Sequence, residues 1–281
     1  MKEYDVQHYM YLAKLIRKEI ICSANEYTKY HFGGTFSCIE MLIYIYLVLL
    51  NSCNLNESNR DSVILSKGHS CLAMYTLFFK LGYISYDELL TYGQFGSRLQ
   101  GHPHMKKLKY IDFSSGSLGQ GLSVAVGMAL ANRCMDSNNK IYVILGDGEL
   151  QEGQVWEAAM CAAHFKLNNL ICFIDRNKMQ VDGDTELIMS VEPLRDKWVA
   201  FGWSVAIVNN GHDFLEIDDA FQSIKRDNKP KILILNTVKG KGVSFMEGKK
   251  EWHSGNLSQE EINRALLQLE NHSILDEMPS H

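Results

Sequence analysis

The 281-residue sequence predicts an α/β fold, a doubly wound parallel sheet flanked by helices. Short apolar runs at 140–145, 170–175, 203–208 and 231–236 have the length and composition of strands buried on both faces. They alternate with helix-length segments at 152–166, 192–200 and 213–227, the order of parallel strands joined by crossover helices. With four prolines, no repeats and no low-complexity block, nothing reads as a linker, so the expectation is one domain over residues 1–281.

The remaining elements follow in chain order. Val6 to Ala24 reads as a helix, and Cys38 to Leu50 as a second and greasier one. Val63, Ile64 and Leu65 form a short strand, and Cys71 to Leu81 a helix. Asp112-Phe113-Ser114 leads into a glycine turn, after which Gly119 to Cys134 makes a helix of small residues. The last twenty-five residues, polar and with a helix near Ser258 to Glu270, look peripheral and end in a loose tail.

Composition excludes several classes of function. A formal charge of −5 and the absence of a basic stripe with interleaved aromatics argue against nucleic acid as a partner. Lys106, Lys107 and Lys109 form a local basic cluster that reads as solvated surface. Seven cysteines, no two at CxxC spacing, argue against zinc and against a disulfide framework, and reduced thiols fit a cytoplasmic protein. The start, MKEYDVQHYM, has no apolar signal core. The most hydrophobic stretch, Ile39 to Leu50, is too short to cross a bilayer, so no membrane is expected.

The most informative segment runs from Lys140 to Asp182. The run Ile141 to Leu145 ends on Gly146, Asp147 and Gly148, which leaves one carboxylate at a strand's carboxyl end with nothing bulky beside it. The next strand, Leu170 to Ile174, ends on Asp175, Arg176 and Asn177. In a parallel sheet these ends lie side by side, at the edge where α/β proteins bind ligands. Asp147 and Asn177 are then two oxygen ligands for a hard cation. Magnesium held by few protein ligands commonly also holds phosphates, so the spacing predicts a magnesium–diphosphate site.

A GDG turn followed about thirty residues later by a strand ending in Asn resembles the thiamine diphosphate fingerprint. More narrowly, GDGELQEGQVWEA, then LNNLI, then DRN with Gln180 and Asp182-Gly183 close behind, resembles the transketolase family. The resemblance implies thiamine diphosphate and magnesium, with calcium or manganese able to substitute. Asp147 and Asn177 would bind the metal by side chain and Met179 by its carbonyl, while Gly146 and Gly148 would lie against the diphosphate. The segment Ser115 to Gly121 can be read as a turn with close helix packing. It also resembles the family's (T/S)G(P/S)LGQG string, which would put Gly116, Ser117 and Leu118 beside the aminopyrimidine.

Four of the ten histidines stand in glycine-rich, loop-like sequence: His31 in YHFGGTFS, His69 in SKGHSCLAMY, His102 in QGHPHM and His253 in EWHSG. Imidazoles at such a site can bond phosphate, donate to hydroxyls and move protons near neutral pH. The resemblance assigns His69 to the diphosphate, and His31, His102 and His253 to the sugar's hydroxyls and carbonyl. His104 has no counterpart and reads as surface. Thr237 to Gly242, followed by Trp252-His253, resembles the family's TVKGKG…WH pattern, which brings Lys239 near the cofactor and leaves Lys241 a weaker candidate. Glu152 and Glu157 match family acids at the subunit contact, although Glu157 reads equally well as a helix-surface charge.

In this family the glutamate that activates the aminopyrimidine comes from a pyrimidine-binding domain, and nothing downstream of Ser254 could fold into one. The chain thus resembles the N-terminal subunit of a split transketolase, transferring a two-carbon ketol unit from a ketose to an aldose. Its expected partners are a C-terminal subunit carrying that glutamate, a second copy of the pair in a dimer of heterodimers, and sugar or sugar-phosphate substrates. That subunit would dock on the edge around Glu152, Glu157 and the Ser115–Gly121 turn, and would cover Val155 and Trp156. Two other readings remain open. One is a related enzyme of a specialised sugar or natural-product pathway. The other is a cofactor-binding subunit without turnover, which four retained histidines disfavour.

Overall fold

A computed structural model describes residues 3–24, 28–52, 54–57 and 59–275. Among these, β1 (Ser62–Leu65), β2 (Ile141–Gly146), β3 (Leu170–Arg176), β4 (Ser204–Val208) and β5 (Lys231–Asn236) form one parallel sheet in the order β1-β2-β3-β5-β4. Alternate residues of each strand enter opposite cores, as the pleat requires. Tyr142, Ile144, Ile171, Phe173, Leu233 and Leu235 face one core; Ile141, Val143, Leu145, Cys172, Ile174, Ile232 and Ile234 face the other. The sheet is therefore covered on both faces, which explains why its strands read as continuous apolar runs.

The first core is closed by α1 (Glu3–Ser23), α2 (Phe32–Ser37), α3 (Ile39–Tyr44), α4 (Cys71–Lys80), the short α5 (Tyr86–Leu89), and two further helices placed below. On α1, Ala13, Ile16 and Ile20 are buried at helical spacing. The second core is closed by α6 (Gln120–Cys134), α7 (Gly153–His164) and α9 (Leu194–Ala200), while the single turn α8 (Thr185–Ile188) leaves Leu187 and Ile188 exposed. Leu122, Ala125, Val126 and Ala129 of α6 meet Val155, Ala158, Ala159 and Ala162 of α7, and the small side chains let α6 lie close to β2. Finally α10 (Phe214–Ile224) and α11 (Gln259–Leu275) complete the first face.

Three expectations change. Residues 32–37, taken for a glycine-rich loop, form α2, and the greasy segment after it is α3 continued by a π-helical turn at Ile45–Leu49. The C-terminal helix is not peripheral, because Leu257, Ala265 and Leu269 are buried in the first core; the expected tail beyond residue 275 lies outside the described residues. Val155 is fully buried within the chain, and Trp156 is half-buried with its ring 5.2 Å from that of Trp198 and its indole N–H donating to Leu150 O at 2.9 Å. The apolar side chains exposed near the sheet's carboxyl edge are instead Val181, Leu187, Ile188 and Met189.

Candidate active site

The register places the two key strand ends side by side: Gly146 of β2 pairs with Asp175 of β3, and Arg176 pairs with Asn236 of β5. Asp147 follows β2 and starts a short 3-10 turn, its Oδ1 accepting from Gly148 N at 2.8 Å. Its Oδ2 accepts from Lys178 N at 2.5 Å and from the Arg176 guanidinium at 3.2 Å. The sequence reading that nothing bulky stands beside this carboxylate is thus corrected. Arg176 is buried there, and it also meets Glu186 at 2.9 Å and Glu192 at 3.0 Å. Burial and the nearby Asp175 charge push the Asp147 carboxyl up to about 6, against the pull of Arg176.

Asn177 stands at the end of β3 with its Nδ2 directed to Asp175 Oδ2 at 3.3 Å and to Ser37 at 3.4 Å, while its Oδ1 accepts from Met179 N at 3.1 Å. Met179 pairs with Asp184 in a two-residue antiparallel bridge. Asp147, Asn177 and the Met179 carbonyl supply only hard oxygens. Among the described residues no group of three or more His, Cys, Asp or Glu gathers to hold a metal, so a softer ion has no competing set.

Beneath them lies an ion pair that sequence reading missed. The fully buried Asp175 accepts from Lys67 Nζ, from the Thr237 hydroxyl and from Ser37 Oγ at 2.5 Å, and Lys67 also donates to Gly34 O at 3.0 Å. Burial alone would raise the Asp175 carboxyl, but the Lys67 ammonium and these hydrogen bonds hold it below the ordinary range. The pair joins the ends of β1, β3 and β5 to α2. Breaking it would leave an uncompensated buried charge, at about 3–5 kcal/mol.

Above this floor, His31, His69 and His253 come together with ring centroids 5.3, 5.4 and 5.6 Å apart. Lys239, 1% exposed, reaches them from the loop after β5: its Nζ lies 3.1 Å from His253 Nδ1 and 3.4 Å from Gln180 O. Gly33 is what lets this lysine pass, since a Cβ there would stand 2.7 Å from Lys239 Cγ. Burial lowers all three imidazoles. His69 falls well below its usual value, helped by the Lys67 charge, and His253 falls to about 3, helped by Lys239. His31 is lowered by burial and by the His102 and Lys239 charges. Lys239 itself is lowered to about 8 by burial and by Lys67. Near neutral pH the cluster is a set of uncharged imidazoles around one cation.

His102 is exposed on the loop before α6, near enough for its charge to act on His31 and His69, and its carbonyl accepts from Tyr75 Oη at 3.4 Å. Gly116 and Ser117 are exposed and Leu118 half-buried at the tip of the turn before α6. His104, expected at the surface, is half-buried, with Nδ1 accepting from Lys106 N at 3.3 Å. Glu152 and Glu157 are exposed.

The residues present fit a magnesium-bound diphosphate. A buried His31 Nδ1 and a buried Ser70 Oγ have no hydrogen-bond partner. The space left by Gly34 is lined by Ser70 Oγ, His69 Nε2 and Lys67 Nζ, at 3.0, 3.4 and 3.4 Å from where its Cβ would be. Buried polar groups of this kind are normally satisfied, and an anion's oxygens would satisfy them.

Comparison with known proteins agrees with this geometry. The family described as transketolase, thiamine diphosphate binding domain, matches residues 10–273. A 6-deoxy-6-sulfo-D-fructose transketolase subunit of Clostridium sp. (strain MSTE9) is 43% identical over 272 residues, 96% of this chain and 98% of that protein. An apulose-4-phosphate transketolase subunit of Phocaeicola vulgatus is 43% identical over 242 residues, 85% of each chain. Among solved structures, the transketolase of Campylobacter jejuni superposes with a TM-score of 0.86 at 30% identity, covering 96% of this chain but 43% of that one. The chain belongs to the transketolase family, within which it corresponds to the thiamine diphosphate-binding domain.

Proposed function

We propose that this chain is the cofactor-holding, N-terminal subunit of a split transketolase that transfers a two-carbon ketol unit from a ketose to an aldose. The observation that carries the reading is the meeting of His31, His69 and His253 with Lys239 over the Asp147 and Asn177 strand ends. Magnesium would be held by Asp147, Asn177 and the Met179 carbonyl. The diphosphate would be held by His69 and Lys239, with Gly146 and Gly148 lying against it, and the aminopyrimidine would be held by Gly116, Ser117 and Leu118. Thiamine diphosphate supplies the electron sink that such carbon–carbon cleavage requires. The protein's part is to orient the sugar: His31, His102 and His253 hydrogen-bond its hydroxyls and carbonyl and move protons there.

The activating glutamate would come from a separate polypeptide, in a dimer of heterodimers. Two relatives of nearly this length, whose names call them transketolase subunits, support that arrangement. The exposed Val181, Leu187, Ile188 and Met189 beside the site are the apolar surface such a partner would cover. We take residues 1–281 as one domain. Its unpaired thiols suit the reducing cytoplasm, and among the described residues no helix is long and apolar enough to cross a membrane.

A second reading concerns the sugar. The Clostridium and Phocaeicola vulgatus relatives are named for 6-deoxy-6-sulfo-D-fructose and for apulose 4-phosphate, which favours a specialised donor over those of central metabolism. A ketose labelled at its two transferable carbons, supplied with an aldose to the assembled pair, tests both readings. Appearance of the label in a lengthened acceptor supports ketol transfer, and the preferred donor among a panel of anionic ketoses separates specialised from central chemistry. Absence of transfer from every donor would favour the subunit without turnover.

A further inference from the structure

Glu149 is buried two residues beyond Asp147, yet its hydrogen bonds lead away from the proposed metal ligands. Its Oε1 accepts from Gly119 N at 2.9 Å and from the Ser66 hydroxyl, and its Oε2 accepts from Gly146 N at 3.0 Å. These donors sit on three separate segments. Ser66 follows β1, Gly146 ends β2, and Gly119 closes the Ser115–Gly121 turn and starts α6. One short 3-10 turn thus carries two buried carboxyls with divided tasks, Asp147 facing the end of β3 and Glu149 facing β1 and the turn.

The turn is pinned at both ends and free in its middle. At its start, Ser115 Oγ donates to Leu65 O at 2.6 Å. At its end, Gly119 has φ +79, and a Cβ at Gly121 would lie 2.4 Å from Ser66 Oγ, so the backbone presses directly on the serine that Glu149 engages. Between these anchors Gly116 and Ser117 are exposed and Leu118 is half-buried.

We propose that Glu149 is a positioning residue that locks the Ser115–Gly121 turn to the ends of β1 and β2, and so fixes the surface that receives the cofactor's aminopyrimidine ring. The inference rests on the thiamine diphosphate reading above. Glutamine cannot take over the role. Each carboxylate oxygen accepts from a backbone N–H, so whichever way the amide is turned its NH2 meets a donor.

The test compares wild type, Glu149→Gln and Ser66→Ala, each as the full chain with its partner subunit present. Calorimetry measures affinity for thiamine diphosphate and for inorganic pyrophosphate, both with magnesium, and melting temperature is recorded for each protein. A residue that merely supports the fold would move both affinities together. The positioning role predicts that Glu149→Gln loses about tenfold or more in thiamine diphosphate affinity while pyrophosphate stays within about twofold. Ser66→Ala, which removes one donor of three, should show the same selectivity at smaller size and decides the matter if Glu149→Gln does not fold. Parallel loss of both ligands, or no loss, overturns the proposal alone. A wild type that binds neither ligand overturns the cofactor reading beneath it.

Discussion

Lys239 Nζ stands 3.1 Å from Nδ1 of His253, and the lysine charge helps to set the imidazole's protonation. While Lys239 is an ammonium, Nδ1 can only accept, so the neutral ring carries its proton on Nε2 and presents a donor. Burial and the lysine charge keep this imidazole from taking a second proton until pH falls to about 3. His253→Ala in the assembled enzyme is expected to keep its cofactor but lose kcat/KM by roughly 10²–10⁴-fold, the range for a lost proton-transfer or hydrogen-bonding partner. Steady-state kinetics paired with cofactor titration checks this, and parallel loss of cofactor would remove His253 from the substrate side.

Lys239 should give cofactor binding a pH dependence. Burial and Lys67 bring it to about 8, while Asp147 and Asp175 pull upward, and His31 and His253 face it as uncharged rings. Only the ammonium attracts a diphosphate, so affinity is expected to fall as pH rises beyond about 8. Lys239→Met should weaken binding near neutral pH and flatten the alkaline fall. Identical alkaline profiles for the two proteins would assign the effect to another group.

Asp147→Ala is expected to lower magnesium-dependent cofactor affinity by well over tenfold, about 1.4 kcal/mol or more. Arg176 would lose one partner but keep Glu186 and Glu192, and Lys178 N would lose its acceptor while Thr185 N still donates to Lys178 O at 3.0 Å, so the loop after β3 should persist. Calorimetry on the folded variant measures the loss, and unchanged affinity would remove Asp147 from the metal site.

The outline of this site was legible in the sequence because its carriers are local. GDG follows an apolar run directly, DRN ends the next, and the β2–β3 register brings them together as the alternation predicts. What the sequence hid is long-range or counter to propensity. Lys67 and Asp175 are 108 residues apart, and no periodicity joins them. Gly33 and Gly34 argue against a helix, yet α2 forms because it is buried and because the absence of Cβ atoms admits Lys239 and leaves the polar space beside His69. Glu149 sits in a stretch whose other glutamates, Glu152 and Glu157, are exposed, and only its three donors separate it from them. Val155 and Trp156 were misplaced because what covers them is long-range: Trp156 meets Trp198 and Phe201, far along the chain, and Val155 joins the second core.

Acid should loosen the fold through Glu40. Burial would raise this carboxyl, but Arg17 at 2.7 Å and His212 at 2.9 Å hold it down to about 2, from an ordinary value near 4.5. A depressed carboxyl contributes stability that is fully present above its unfolded pKa and disappears as pH falls through the folded one. The window is therefore about pH 4.5 down to 2, and the contribution is on the order of 3 kcal/mol. His212 Nε2 also accepts from Val238 N at 2.9 Å, so this loss reaches the segment that carries Lys239. Denaturant unfolding across that window should show a steep decline for wild type and a shallower one for Glu40→Gln. Equal slopes would contradict the assignment.

The central claim is that this chain holds the cofactor and completes a transketolase only with a second polypeptide. Its most direct test is ketol transfer measured for the purified chain alone, its partner alone and the two mixed, with saturating thiamine diphosphate and magnesium. Negligible transfer by either alone and turnover on mixing is the predicted result. Robust turnover by this chain alone, in a preparation free of host transketolase, would contradict it.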